Sequence, residues 1–198
     1  MSAEKLRTEI RQEQIAEAAL RVITSHGMKG LSVARVARQI GIVPSGIYRH
    51  YSSKDEILDA VLSLIEQRLL ENVSAVCKET PDPLKRIHRL LMRHIKLIRE
   101  NRAIPRVVFS EDVYGGSSSR KSKIYGIITN YLSRVAEIVS EGQKEGKLRS
   151  DVATDTVAVM FLGLIQPGAI LWHLSDGEFD VTKQAEKAWR IFQTIIEK

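Results

Sequence analysis

A single cysteine, Cys77, stands in 198 residues. It excludes an intrachain disulfide and any metal site built from several thiolates, and it fits a reducing compartment. Cys77 itself reads as a small apolar residue on a helix. Enzyme motifs are also missing: there is no nucleophile elbow, Walker loop, HExxH pair or dinucleotide fingerprint. Ser118-Ser119-Arg120-Lys121 has Ser-x-x-Lys spacing, but it falls in the loop-like stretch GGSSSRKS (115–122) and lacks partner motifs. The five histidines do not share metal-ligand spacing. The expectation is a non-enzymatic protein without metal or cofactor. The N-terminal MSAEKLRTEIRQEQ is charged throughout, where a signal peptide needs an apolar stretch. The longest apolar run, Val157 to Ile165, is far below the roughly 20 residues of a membrane span. A soluble cytoplasmic protein with no membrane partner is therefore expected. No segment alternates with period two, so strands are not expected either.

What is present is 3.6-residue periodicity from end to end, punctuated by glycine and proline. Ile15, Ala18, Ala19, Val22 and Ile23 form the apolar stripe of a first helix that Gly27 ends. Ser32 caps a second helix with the stripe Val33, Val36, Ala37 and Ile40, and Gly41 closes it. Val43 and Pro44 open a third helix, with proline where its missing N–H costs nothing. Ser53 and Glu56 form a capping box for a long fourth helix reaching about Cys77. Asp82 and Pro83 begin a fifth helix, and Pro105 a short sixth that ends near Tyr114. Residues 115–122 read as a flexible loop, and a seventh helix runs from Ile124 to the Gly142–Gly146 region. Two more follow at about 152–174 and 181–197. The fold class is all-α with about nine helices. The only natural boundary lies at the fourth helix, giving an N-terminal domain of residues 1–56 and a C-terminal helical domain of residues 57–198. The formal net charge of +6 is shared evenly: residues 1–56 hold 9 Lys/Arg against 6 Asp/Glu, and the remainder 21 against 18.

Residues 31–50 are the most informative. A glycine turn between two short helices sets them at a steep angle, so the second can enter the major groove of double-stranded DNA. Ile42 and Ile47 would face the core, leaving Ser45, Gly46, Tyr48, Arg49 and His50 outside. Gly46 costs roughly 1 kcal/mol inside a helix relative to alanine, which close backbone approach to DNA would explain. Lys54 adds charge at a helix N-terminus that already favours anions.

The stretch Leu31-Ser32-Val33 through Ala37, then Gly41-Ile42, Gly46-Ile47-Tyr48-Arg49-His50-Tyr51 and Ser53-Lys54-Asp55-Glu56-Ile57-Leu58, resembles the N-terminal signature of TetR-type (TetR/AcrR) transcriptional regulators over about residues 9–58. EGQKEGKLRSD (141–151) is similar to the segment before that family's penultimate helix. The resemblance implies a helix-turn-helix domain joined by the long fourth helix to a ligand-binding and dimerisation domain. It implies that Tyr48 and Lys54 hold the DNA backbone, and that Val33, Arg35, Pro44, Ser45, Gly46, Arg49 and His50 lie near base edges or phosphates. Val43-Pro44 departs from the polar pair common there, leaving Arg35 and Arg49 as sequence readers. Whether Lys5 and Arg7 of the N-terminal tail reach a minor groove is left open by the sequence.

In the larger half, Val157 to Ile165 is apolar on every side and must be covered on all faces, by its own core and by a partner subunit. Phe161, Leu164, Ile165 and Gly168 with Ala185, Trp189 and Phe192 are the expected homodimer seam, which places two reading helices on a near-palindromic operator. The same apolar helix can also be an ordinary buried core helix of a monomer. Pro167 in the eighth helix predicts a kink. His94, Phe109, Tyr125, Tyr131, Gln166 and Trp172 are candidate contacts for a small-molecule effector, aromatic and polar as such sites are. They can equally be plain core. The fifth helix carries Lys85, Arg86, Arg89, Arg93, Lys96, Arg99 and Arg102, either a solvated face, a port for an anionic or acyl-thioester ligand, or a second DNA contact. Two readings of function follow: a ligand-responsive homodimeric repressor, or a ligand-independent architectural or nucleoid-associated DNA binder.

Overall fold

A computed structural model describes residues 3–108, 110 and 118–198. Among these residues there are nine α-helices and no strand. They are α1 (Ala3–His26), α2 (Val33–Gln39), α3 (Pro44–Tyr48), α4 (Lys54–Glu79), α5 (Pro83–Glu100), α6 (Ala103–Val108), α7 (Ser118–Lys144), α8 (Thr154–Leu174) and α9 (Val181–Ile196). A 3₁₀ turn covers Met28–Gly30, and Leu148 and Glu197 form an isolated antiparallel bridge.

The helix ends follow the chemistry of their residues. Gly27 takes φ +68° after α1, and Gly41 takes φ +70° after α2. Both conformations strain any residue with a Cβ. The Ser32 hydroxyl accepts from the Arg35 amide at 3.3 Å, and Pro44 opens α3 after an uncapped Val43. At α4 the Ser53 hydroxyl accepts from the Glu56 amide, while the Glu56 carboxylate accepts from both the amide and the hydroxyl of Ser52. The capping box is thus shifted by one residue on its return arm. Asp82 Oδ1 accepts from the amides of Leu84 and Lys85 to start α5.

The chain divides into two compact units, residues 1–67 with 101–124 and residues 68–100 with 125–198. In the first, α1 packs on α2 and α6, and α2 on α3. Ile15, Ala18, Ala19, Val22, Ile23, Val36, Ala37, Ile47, Ile57, Leu58 and Val61 are among its buried residues. This unit extends beyond residue 56 because α6 returns to α1. The Arg106 guanidinium donates to the carbonyls of Thr24 (2.9 Å) and Ile23 (3.4 Å) at the end of α1, where the Ile23 carbonyl also accepts from the Gly27 amide.

In the second unit α9 packs on α8 and α5, and α5 on α8. Gly142 lies within α7, and a Cβ there would meet Leu148 Cδ1 at 2.5 Å and Pro83 Cβ at 3.0 Å. Its carbonyl accepts from the amides of Lys147 and Leu148, and Gly146 at φ +70° turns the chain out of the helix.

Two expectations are corrected. Residues 118–122 are the first turns of α7, not a loop, because Arg120 is buried and paired; the rest of the expected loop, 115–117, lies outside the described residues. Pro167, the expected kink point, lies inside α8, which is helical on both sides of it. By length and composition α8 does reach what a membrane crossing requires, because its polar interruptions are few. Its Val157, Phe161, Ile165, Ala169 and Trp172 are nonetheless buried within the protein.

Candidate nucleic-acid interface

The candidate DNA-reading surface is built by α2, α3 and the first turn of α4. Ile47 is wholly buried, and the Tyr51 and His50 amides both close on its carbonyl. That anchors α3 by one side chain and leaves Pro44, Ser45, Tyr48 and Arg49 exposed on it. Lys54 is exposed at the first residue of α4, and Val33 is half-buried at the start of α2. Tyr51 donates its hydroxyl to the Gln12 carbonyl at 3.4 Å, tying α1 to the end of α3. Burial and the nearby Glu56 carboxylate raise the Tyr51 phenol, so it stays a donor. The two Ser52 hydrogen bonds hold the Glu56 carboxyl below the usual range.

Three of the expected contact residues differ from the sequence reading. Gly46 is half-buried, and a Cβ built on it would point at Ile42 Cδ1, 3.1 Å away. Its smallness therefore serves packing of α3 on its own chain. Arg35 does not extend freely: its Nη1 donates to the Gly30 carbonyl at 2.8 Å and braces the 3₁₀ turn. His50 is half-buried, with Nδ1 enclosed and unpaired among the described residues, so at most its far nitrogen faces outward. The Arg49 side chain, by contrast, is exposed, with no hydrogen bond or ion pair of its guanidinium among the described residues, and is the better placed of the two arginines. Lys5 and Arg7 belong to α1 as exposed residues, so the expected tail is helical from Ala3.

In the second unit the expected effector residues separate. His94 on α5 and Tyr131 on α7 are both buried, with His94 Nδ1 3.0 Å from Tyr131 Oη and their rings edge-on. Phe161 lies against Tyr131, with ring centroids 6.5 Å apart. Desolvation pushes the imidazole down to about 4 and the phenol upward, so both groups are neutral around pH 7. Trp172 is also buried and Gln166 half-buried. Tyr125 is 72% exposed and does not join the buried pair, because it sits on the outer side of α7. Phe109 lies outside the described residues.

The expected dimer seam needs a larger correction. Phe161, Ile165, Gly168, Ala185, Trp189 and Phe192 are buried in the chain's own core, and Leu164 is half-buried. Those residues are spent on joining α5, α8 and α9. The apolar residues left outside are different: Val159, Met160, Ile170, Leu171 and Leu174 on α8, with Ile191 and Ile195 on α9. Their spacing of three and four puts the α8 set on one face with exposed Gly163 and Pro167.

The basic residues of α5 are largely paired. Arg86 reaches Glu141 and the Thr80 carbonyl, and Arg89 and Arg93 reach Glu79. Lys85 pairs with Asp82, Lys96 with Glu100, and Arg99 with the Thr182 hydroxyl. His88 stacks on Trp189 beside Glu186. This is the arrangement of a solvated, charge-balanced face.

Comparison with known proteins places these features. Residues 15–61 match the model of bacterial regulatory proteins of the tetR family, and residues 58–195 match that of the YsiA-like protein C-terminal region. The nucleoid occlusion factor SlmA of Vibrio vulnificus is 22% identical over 188 residues, 94% of this chain and 95% of that protein. The fatty acid metabolism regulator protein of Bacillus subtilis is 22% identical over 168 residues, 85% of this chain and 86% of that one. The transcriptional regulator FadR from Bacillus subtilis, solved in complex with stearoyl-CoA, has the same fold with a TM-score of 0.77 at 21% identity, over 93% of this chain and 98% of that one. With both halves matched and an N-terminal helix-turn-helix on an all-helical chain, the protein belongs to the TetR family of bacterial transcriptional regulators.

Proposed function

We propose that this protein is a homodimeric repressor that leaves a near-palindromic operator when a long-chain acyl-CoA binds its second unit. The observation that carries the reading is the match of residues 58–195 to the YsiA-like C-terminal region, in a chain similar to a fatty acid metabolism regulator. The chemistry of the second unit supports it. An acyl chain asks for an apolar interior, and a thioester carbonyl asks for a neutral donor within it. Tyr131 and His94 are neutral hydrogen-bonding side chains in an otherwise aliphatic and aromatic core, and Trp172 and Gln166 are further candidate contacts.

Base reading is assigned to Arg49, with Ser45 and Pro44 beside it. Backbone contacts are assigned to Tyr48 and Lys54, whose exposure supports that role. Arg35 and Val33 contribute from α2, and His50 by its outer nitrogen. The partner subunit is assigned to the exposed apolar face of α8 and α9, since a contiguous patch of this kind marks an interaction surface. Leu174 and Ile191, 73% and 66% exposed, are its clearest members.

A ligand-independent, nucleoid-associated role is the second reading, favoured by 22% identity to a nucleoid occlusion factor over 188 residues. One experiment separates the two. The operator is selected from a random duplex library and binding is followed by anisotropy with excess random DNA, while thermal unfolding is followed with stearoyl-CoA, coenzyme A or stearate. The repressor reading expects stearoyl-CoA alone to release the operator and to raise Tm; ligand at a hundred times its Kd adds about 2.7 kcal/mol of stability. Specific binding that no acyl-CoA relieves rejects the effector. Binding that random DNA competes away equally supports the second reading.

A further inference from the structure

Arg120 is the one buried arginine among the described residues, and it sits where the sequence reads as a loop. Its Nη2 lies 2.9 Å from Asp55 Oδ1 and its Nε 3.4 Å from Asp59 Oδ1. One turn further along α7, Lys123 Nζ donates to the Asp59 carbonyl at 2.6 Å. Asp55 belongs to the first turn of α4, directly after Lys54. The next residue, Glu56, grips Ser52 by two hydrogen bonds, and Ser52 follows the end of α3 by four residues. A side chain from the middle of the sequence therefore holds the turn on which the candidate phosphate contact and the reading helix depend.

Burial of a guanidinium is costly unless its partners are well placed, and here the asymmetry is informative. Asp55 is 74% exposed and would be solvated without Arg120. The carboxylates do not need the arginine; the arginine is fixed by them. Such an arrangement contributes little to overall stability and much to the position of the two helix ends it joins. The sequence of α7 continues from this clamp to Lys144 and carries Tyr131 eleven residues on.

We propose that Arg120 is a positioning residue for DNA binding, which sets the first turn of α4 for the operator and passes the effector's response from α7 to that turn. The second half of this statement rests on the acyl-CoA reading above; the first half does not.

The test compares Arg120→Gln, Arg120→Lys and Asp55→Asn in the full-length protein. Affinity for the selected operator is measured well below each variant's Tm, with and without stearoyl-CoA, and stearoyl-CoA binding is measured separately. Arg120→Gln is expected to weaken operator binding by about tenfold or more. Arg120→Lys and Asp55→Asn should each lose less, since one ion pair remains. In Arg120→Gln, stearoyl-CoA should bind as in the parent but change operator affinity far less. Unchanged or tighter operator binding by folded Arg120→Gln overturns the proposal, as does a loss that only tracks the fall in Tm. A full release response in Arg120→Gln overturns the coupling half. If the parent itself ignores stearoyl-CoA, the effector reading fails while the operator measurements still decide the role of Arg120.

Discussion

Lowering the pH should cost this protein stability through one residue, His94. Its folded value of about 4 lies below the ordinary 6.5, with desolvation as the cause. The sign follows from which state takes the proton first. Below pH 6.5 the unfolded chain binds a proton at His94 that the folded chain refuses until about pH 4. Stability from the neutral imidazole is therefore complete above 6.5 and is lost as pH falls toward 4. The gap between the two values caps the loss at about 3 kcal/mol, and at pH 5 it should reach about 2 kcal/mol. For a chain of this length that corresponds to roughly 4–8 °C in Tm. The assay is thermal unfolding of the parent and of His94→Gln at pH 8, 6.5 and 5. Glutamine retains a group able to bond Tyr131 but does not titrate. The other histidines and the carboxylates are common to both proteins, so the difference between the two pH slopes isolates His94. The parent should lose about 2 kcal/mol more than the variant between pH 8 and 5. Parallel slopes would refute the reasoning, and would mean that the buried imidazole is hydrated or has a nearby anion that keeps it titrating normally.

Arg49→Ala should reduce preference for the selected operator over random DNA, by about 1–3 kcal/mol if the arginine pairs with guanine. Lys54→Ala should weaken both DNAs alike and flatten the salt dependence by about one phosphate contact, and anisotropy over a salt series reads both effects. Leu174→Glu with Ile191→Asp should turn a dimer into a folded monomer in light scattering, whereas Phe161→Ala should destabilise the fold by about 3–5 kcal/mol, as a core truncation does. Gly142→Ala should lower stability by about 1–3 kcal/mol in denaturant unfolding despite alanine's better helix propensity, because Leu148 and Pro83 occupy the space of its Cβ.

Local chemistry made much of this protein legible. Apolar periodicity, the left-handed glycines at 27 and 41, the proline at the start of α3 and the Ser32 and Asp82 caps all act within a few residues, so the helices and the helix-turn-helix stand in the sequence. The identity of the N-terminal reading surface follows from the same short-range pattern. Where the readings diverged, the deciding contact was one that helical periodicity does not encode, and in the larger cases it was distant in sequence. An apolar helix such as α8 needs cover, but its composition does not say which side its own chain supplies. Only packing with α5 and α9 shows that Phe161 and Trp189 face inward and Leu174 and Ile191 outward. Arg120 reads as part of a polar loop until Asp55 and Asp59, more than sixty positions earlier in the chain, give it a buried place. Arg35 reads as a free base contact until the Gly30 carbonyl claims it. Arg106 carries no signal at all until the end of α1 lies beside it. Helix formation and capping are short-range and were written in the sequence; the choice of partner for each charge and each apolar face was made by the tertiary structure, because burial is a property of where the rest of the chain lies.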